Sequence, residues 1–340
     1  MVFILPDHEY HPLPVVDVVD ETPDAKSFVL GIPGELERIF AYAAGQFCTF
    51  RATLDGEPVV RSYSMSSSPD VGDRFMTTVK RVPGGRMSNW MNDALRPGDT
   101  IEVMPPAGLF VLHATNAPIV AFAGGSGITP VISIIKTALA TTARPILLVY
   151  ANRDRDSVIF GDELERLQAG SAGQLTVHGH FDSESGFFDP SACAALIGER
   201  AAPDFYVCGP GPYMDTVEAG IELVGVTPGK LFIERFVVTG EPVLTEGSRT
   251  KSLVVRLARK KHTLEYHAGE TILEAGRRAG LNPPFSCESG SCATCMAHLD
   301  SGSVTMRANN VLSADEVDDG WILTCQSIPQ SETVVVDYQN

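Results

Sequence analysis

Residues 284–295 read PFSCESGSCATC, which sets Cys287, Cys292 and Cys295 in a C-x4-C-x2-C array, and 29 residues separate Cys295 from Cys325. Three clustered thiolates and one distant thiolate match a known ligand spacing for a [2Fe–2S] cluster. The physical demand is a loop that bends sharply around inorganic sulfur. Gly290 and the small residues Ser286, Ser289, Ser291, Ala293 and Thr294 allow that bend and leave backbone N–H groups to point at sulfur. A structural zinc site is the rival reading. Zinc ribbons usually carry two close cysteine pairs rather than three plus one, so the cluster is the expectation, and metal analysis separates the two. The chain has seven cysteines in all. Cys48, Cys193 and Cys208 fall outside the array and read as small buried hydrophobes, with a further reading for Cys208 below.

Working outward, 340 residues imply two or three domains. A composition of 44% hydrophobic and 20% charged residues is that of a globular protein. The net charge of −16 argues against nucleic acid and anionic membranes as partners. The long apolar run from Ile119 to Ala140 is interrupted by Gly124, Gly125, Gly127, Pro130 and Lys136. It therefore reads as a strand, a glycine turn and a helix rather than a membrane span. The first residues, MVFILPDHEYHP, lack the basic start of a signal peptide, so a cytoplasmic location is expected.

Short β-like runs separated by Gly, Pro and Asp fill residues 1–113 and suggest an antiparallel β-barrel. Residues 114–237 alternate strands with helices and suggest a parallel α/β sheet that binds a nucleotide. Residues 238–251, rich in Gly, Thr, Ser and Pro, read as a linker. Residues 252–340, which hold the cysteine array, form a small α+β unit.

Two motifs in the first part point to a flavin. In Arg61-Ser62-Tyr63-Ser64, strand alternation puts Arg61 and Tyr63 on one face. The guanidinium could then grip a pyrophosphate and the ring could stack, while Ser64 offers a hydroxyl to a flavin nitrogen. Gly84-Gly85-Arg86-Met87-Ser88 reads either as an anion cradle at a helix start or as a plain turn with Ser88 as N-cap. In the second part, Gly124-Gly125-Ser126-Gly127-Ile128-Thr129-Pro130 and Cys208-Gly209-Pro210-Gly211-Pro212 each follow a strand. Such glycines admit a phosphate close to the backbone. Cys208 would lie either beside a nicotinamide or simply in the core. The segment 151–157, ANRDRDS, mixes arginine with carboxylate, so NADH and NADPH both stay open.

Taken together, these motifs resemble the ferredoxin–NADP reductase superfamily, in the class with a plant-type ferredoxin fused after the nucleotide domain. YANRDRDSVIFGDELERL, CGPGPYM and PFSCESGSCATC are most similar to reductase components of the 3-ketosteroid 9α-hydroxylase type, with the phenylacetyl-CoA oxygenase reductase type as an alternative. The resemblance implies a β-grasp fold for the last domain and FAD, a [2Fe–2S] cluster and NADH or NADPH as cofactors. It assigns FAD binding to Arg61, Ser62, Tyr63, Ser64, Val79, Lys80, Gly85, Arg86, Met87, Ser88 and Thr129. It assigns nicotinamide contacts to Gly125, Cys208 and Gly209, and a carboxylate and an aromatic near the flavin to Glu234 and Phe236. Ser64, Cys208 and Glu234 would be the catalytic residues, and Cys287, Cys292, Cys295 and Cys325 the iron ligands. The implied partner is a terminal oxygenase, Rieske-type in the steroid case. Hydride carries two electrons and the cluster takes one at a time, which explains a flavin between them. Three rivals remain: a stand-alone NADH oxidase or flavin reductase, a non-catalytic ferredoxin-like carrier, and a zinc module.

Overall fold

The structure, a computed structural model, describes residues 9–198, 202–225, 230–236, 250, 252–285, 288, 290, 293–309, 312 and 314–338. Contacts divide the chain into two compact units, Met1–Pro106 with Phe110–Phe236 and Ala107–Leu109 with Val237–Asn340.

The first unit begins with six antiparallel strands. These are β1 (His11–Thr22), β2 (Ala25–Leu30), β3 (Phe47–Leu54), β4 (Glu57–Ser64), β5 (Met76–Lys80) and β6 (Thr100–Val103), in the order β4-β3-β6-β1-β2-β5. The two edges meet where Met65 bridges Thr77 and the Ser66 N–H donates to Met76 O at 3.0 Å. Inward residues such as Leu13, Val15, Phe28, Phe50, Val59 and Val79 fill the expected barrel. Helix α1 (Arg86–Ala94) drops Met87 and Met91, one turn apart, into the same core.

The second sheet of this unit contains β7 (Ile119–Gly124), β8 (Ile146–Asn152), β9 (Leu175–Phe181), β10 (Asp204–Gly209) and β11 (Leu231–Arg235), all parallel, in the order β11-β10-β7-β8-β9. Helices α2 (Ile128–Thr141), α3 (Gly161–Gly170), α4 (Asp182–Ser185), α5 (Pro190–Ile197) and α6 (Gly211–Leu223) connect them. Every residue of β7, β8 and β10 is buried, as strands covered on both faces must be. Separate hydrophobic cores lie on the two sides. Because β7 is flanked by β8 and β10, the chain reverses direction across the sheet there. The crevice at the carboxyl ends of β7 and β10 is where such sheets bind ligands.

The second unit carries β12 (Ser252–Leu257), β13 (Lys260–Leu264), α7 (Ile272–Arg278), β14 (Met296–Ser301), β15 (Val304–Met306), α8 (Ala314–Asp318), β16 (Trp321–Leu323), β17 (Ser327–Pro329) and β18 (Thr333–Asp337). Five of the strands form a mixed sheet, β13-β12-β18-β14-β16, and β15 pairs with β17. A capping box starts α7: the Glu274 N–H donates to Thr271 Oγ1 at 3.2 Å and the Thr271 N–H to Glu274 Oε2 at 2.7 Å. Ile272 and Ala275 then pack into the core shared with Leu253, Val255, Val334 and Val336. This is the helix-on-mixed-sheet grasp expected from the resemblance. The expected linker lies, Thr250 apart, outside the described residues.

Candidate functional site

On the barrel, β4 pairs with β3 so that Tyr63 stands opposite Cys48 and Arg61 opposite Phe50, with Ser62 opposite Thr49. Arg61 and Tyr63 thus share a face, as alternation requires. Tyr63 rests on Phe50 with ring centroids 5.7 Å apart. Arg61 is exposed, and among the described residues its side chain's only hydrogen bond runs from Nη1 to Val60 O at 2.7 Å. It faces no carboxylate partner there. The Ser64 hydroxyl, on a residue 3% exposed, likewise has no hydrogen-bond partner among the described residues, while its carbonyl accepts from Thr77 Oγ1 at 2.8 Å. Ser62 is engaged instead, its hydroxyl 3.0 Å from that of Thr49. An unpaired fork, a half-buried phenol ring and an uncommitted hydroxyl on one strand fit a pyrophosphate, a flat ring and a ring nitrogen.

Helix α1 starts beside them. Its N-cap is Gly85, not Ser88. Ser88 lies in the first turn, where its hydroxyl accepts the Val82 N–H at 3.2 Å, so the N-cap alternative is corrected. A side chain at Gly85 would put Cβ 2.6 Å from Ser88 Oγ, which explains the glycine. The first-turn N–H groups of Arg86, Met87 and Ser88 have no intrahelical acceptor and remain suited to an anion. The Arg86 side chain turns away. It donates to Leu54 O at 2.6 Å and to Glu57 Oε2 at 3.0 Å, pinning the β3–β4 hairpin. Met87 is 1% exposed, and Val79 is fully buried with its carbonyl bound to Asn92 Nδ2 at 3.1 Å. Neither side chain is open to a ligand.

At the sheet crevice the two glycine turns interlock. A Cβ on Gly127 would fall 2.2 Å from Cys208 O and 2.7 Å from Gly209 N, and one on Gly209 would fall 3.0 Å from Gly124 N. Gly125 has φ +51, and its carbonyl accepts the Tyr150 hydroxyl at 3.1 Å. That same hydroxyl accepts the Ile159 N–H at 3.2 Å. Thr129 Oγ1 donates to Ser126 O at 3.0 Å, tightening the turn. Cys208 is fully buried within the apolar core, and burial pushes its thiol well up, with Glu234 adding to the effect. Glu234 is its register partner on β11 and is 7% exposed, while Phe236 just beyond is 42% exposed. A thiol held neutral in this way can pack or touch, but it is no nucleophile.

Lys80 stands between the two sheets. Its ammonium is 3.7 Å from Asp24 Oδ2 and 3.9 Å from where a Gly125 Cβ would be. Burial lowers its pKa, and Asp24 opposes that. Arg153 reaches the same carboxylate at 3.2 Å. Sequence reasoning singled out Lys80 but missed Asp24, Tyr150 and the contact role of Gly127. Gly127 and Tyr150 stood in quoted strings, whereas Asp24 carried no local signal.

In the second unit, Cys287 and Cys292 lie outside the described residues. Cys295 and Cys325 are brought into one buried cluster with Leu273, Phe285, Leu312 and Leu323, and neither is in a disulfide. Cys295 O accepts from Thr324 Oγ1 at 2.9 Å, and Thr324 Oγ1 accepts the Tyr338 hydroxyl at 2.9 Å. Gln326 Nε2 donates to Glu288 O at 2.8 Å and approaches Cys325 Sγ at 3.6 Å. The loop bends as expected, with positive φ at Glu288, Gly290 and Ala293. At Gly290 a Cβ would fall 2.8 Å from Ala308 O. A tight loop, two gathered thiols and an N–H donor beside sulfur fit an iron–sulfur cluster.

Barrel, nucleotide sheet and thiol loop define an oxidoreductase that uses FAD, a nicotinamide nucleotide and a [2Fe–2S] cluster. Residues 12–112 match the oxidoreductase FAD-binding domain, 122–219 the oxidoreductase NAD-binding domain and 255–330 the 2Fe-2S iron-sulfur cluster binding domain. The chain belongs to the family of NAD(P)H-dependent electron-transfer reductases that includes the ferredoxin reductase components of 3-ketosteroid-9-alpha-monooxygenases. It is 38% identical to that component from Mycobacterium tuberculosis, over 96% of this chain and 95% of the relative. It is 32% identical to a component of the 1,2-phenylacetyl-CoA epoxidase of Escherichia coli, over 97% and 98%. Among solved structures, phthalate dioxygenase reductase superposes with a TM-score of 0.63 at 29% identity, covering 96% of this chain and 98% of that one. No helix among the described residues is long and apolar enough to cross a membrane.

Proposed function

We propose that this reductase takes hydride from NADH and delivers single electrons to a Rieske-type terminal oxygenase of the 3-ketosteroid 9α-hydroxylase kind. The reading is carried by the presence, within one compact unit, of both an unpaired Arg61 side chain with an uncommitted Ser64 hydroxyl and two interlocked glycine turns. The steroid assignment rests on the 38% identity to the mycobacterial component.

Bound FAD supplies the exchange between a two-electron donor and a one-electron acceptor. Arg61 and the first turn of α1 hold the dinucleotide pyrophosphate. Tyr63 covers the ring, and Ser64 gives its ring nitrogen a hydrogen-bond partner. The glycine turns admit the nicotinamide nucleotide, and buried Cys208 and Glu234 shape the pocket wall where its ring lies. Cys287, Cys292, Cys295 and Cys325 ligate the cluster, with Gln326 donating toward sulfur. Residues 1–113, 114–237 and 252–340 serve as the three working domains. NAD(P)H supply and thiolate ligands both suit a reducing cytoplasm.

Anaerobically purified protein is expected to contain FAD, two irons and two labile sulfides per chain. NADH should bleach the flavin, and dithionite should produce a paramagnetic cluster signal. Cys325→Ser should keep flavin bleaching yet lose delivery to the oxygenase. A colourless, iron-free preparation after anaerobic reconstitution would overturn the reading. Undiminished turnover of the oxygenase with Cys325→Ser would exclude the cluster from the path.

A further inference from the structure

Lys136 is the one charge inside the apolar run from Ile119 to Ala140, and the functions above leave it unused. It lies on α2 and is 4% exposed. Its Nζ is 2.8 Å from Asp73 Oδ2, on the connection between β4 and β5, and 3.0 Å from Glu163 Oε1 on α3. Glu21 of β1 senses both Lys136 and Glu163. Ser133 and Thr137, one turn apart on α2 and flanking Lys136, reach the same connection. Ser133 Oγ donates to Ser67 O at 2.6 Å and accepts the Gly45 N–H at 3.3 Å. Thr137 Oγ1 donates to Asp70 Oδ2 at 3.0 Å and lies 2.7 Å from Ser68 Oγ. The approach is so close that a Cβ on Gly45 (φ +98) would fall 2.1 Å from Phe110 O and 2.9 Å from Ile134 Cδ1.

Glu163 apart, these partners belong to the barrel, and Ser67–Asp73 continues directly from Arg61–Ser64. One helix therefore begins at the nucleotide turn and is bolted, two turns later, to the connection that follows the strand carrying the flavin residues. A buried ion cluster is a weak source of stability, since well-packed apolar groups can hold as firmly. What charged and hydroxyl partners add here is a single permitted register. From Ile128 to Lys136 the helix rises about 12 Å, so a tilt of roughly 5° about the seam moves its start by roughly 1 Å. Misplacement of reacting groups by about 1 Å can cost about 10²-fold in rate.

We propose that Lys136 is a positioning residue for hydride transfer, fixing the nucleotide turn against the flavin strand through the Asp73–Lys136–Glu163 seam. This rests on the reductase function given above. The test is stopped-flow flavin reduction in the full-length, cofactor-loaded protein. Lys136→Met should retain FAD and change the NADH Kd by less than about threefold. Its limiting reduction rate should fall roughly tenfold or more, and Lys136→Arg should restore most of it. Ser133→Ala, a milder lesion in the same seam, should also slow the limiting rate while leaving Kd unchanged. A soluble, FAD-loaded Lys136→Met with the wild-type limiting rate would overturn the proposal. If Lys136→Met does not fold, a wild-type rate in Ser133→Ala overturns it instead. Failure of NADH and NADPH to bleach the wild-type flavin would overturn the reductase reading itself, whatever the variants do.

Discussion

Arg144 and Asp204 form a buried ion pair at the amino-terminal edge of the parallel sheet, Nη2 to Oδ2 2.6 Å, with 4% and 1% of the two residues exposed. Arg144 also donates to Ala117 O at 2.5 Å and His113 O at 3.0 Å, and Thr115 Oγ1 donates to Asp204. The pair thereby clamps the segment that leads from the barrel into β7. Asp204→Asn strands a buried guanidinium and should cost about 3–5 kcal/mol. The denaturant midpoint of FAD-loaded protein should drop with its m-value unchanged. Replacing both partners, Arg144→Met with Asp204→Leu, should cost clearly less.

Gly127 and Gly211 give opposite expectations. Gly127→Ala forces Cβ to within 2.2 Å of Cys208 O, whereas a Cβ on Gly211 meets nothing within 4 Å. Gly127→Ala should spread the two turns and cut NADH-driven flavin reduction roughly 10²-fold, with FAD still bound. Gly211→Ala should be silent in the same assay.

Arg61 and Arg86 should separate in FAD affinity. Arg61 is uncommitted to any carboxylate among the described residues, so Arg61→Ala should lose a charge-assisted contact of about 1.5–3 kcal/mol, roughly ten- to a hundredfold in Kd. Arg86 spends its guanidinium on Leu54 and Glu57, so Arg86→Ala should loosen the hairpin and weaken FAD far less. Equilibrium titration of the apoflavin protein compares them.

His298 offers a pH test in the second unit. Its Nδ1 lies 2.9 Å from Asp300 Oδ1 and its Nε2 2.9 Å from Asp319 O. The Asp300 hydrogen bond, helped by the Asp319 carbonyl, raises its pKa above 6.5 against desolvation. A histidine raised on folding stabilises fully below its unfolded pKa and loses that contribution as pH climbs through the folded value. The stabilisation should therefore be fully present well below 6.5 and fade as pH rises through the raised folded value. Proton NMR should place the His298 titration above 6.5 in wild type and lower in Asp300→Asn. A wild-type titration at or below 6.5 would refute it.

The elements legible in the sequence were those with a strong period. Short β-like runs punctuated by Gly, Pro and Asp exposed the barrel, and strands alternating with helices exposed the middle sheet. The cysteine spacing exposed the last domain. Short elements escaped: α5, β11, β15, β17 and α8 depend on tertiary contacts rather than on their own pattern. The candidate site was legible where a motif concentrated its residues, as in Arg61–Ser64. It was invisible where partners lie far apart in sequence. Nothing near Arg86 forecasts that its side chain leaves the helix for Glu57, and nothing near Ser88 shows that its hydroxyl serves Val82. Lys136 was noticed only as an interruption, because Asp73 and Glu163 reach it from opposite directions along the chain.

Strands β12 and β18 lie side by side and parallel in the second sheet, Ser252 paired with Thr333. The module's centre thus cannot form until both sides of the intervening sequence, with its cysteines, have been synthesised. Such distant pairing slows folding. Iron delivery must therefore meet a chain already free to close that long loop, and a ribosome stalled before residue 333 would offer thiols without a pocket, exposed to oxidation and to the wrong metal.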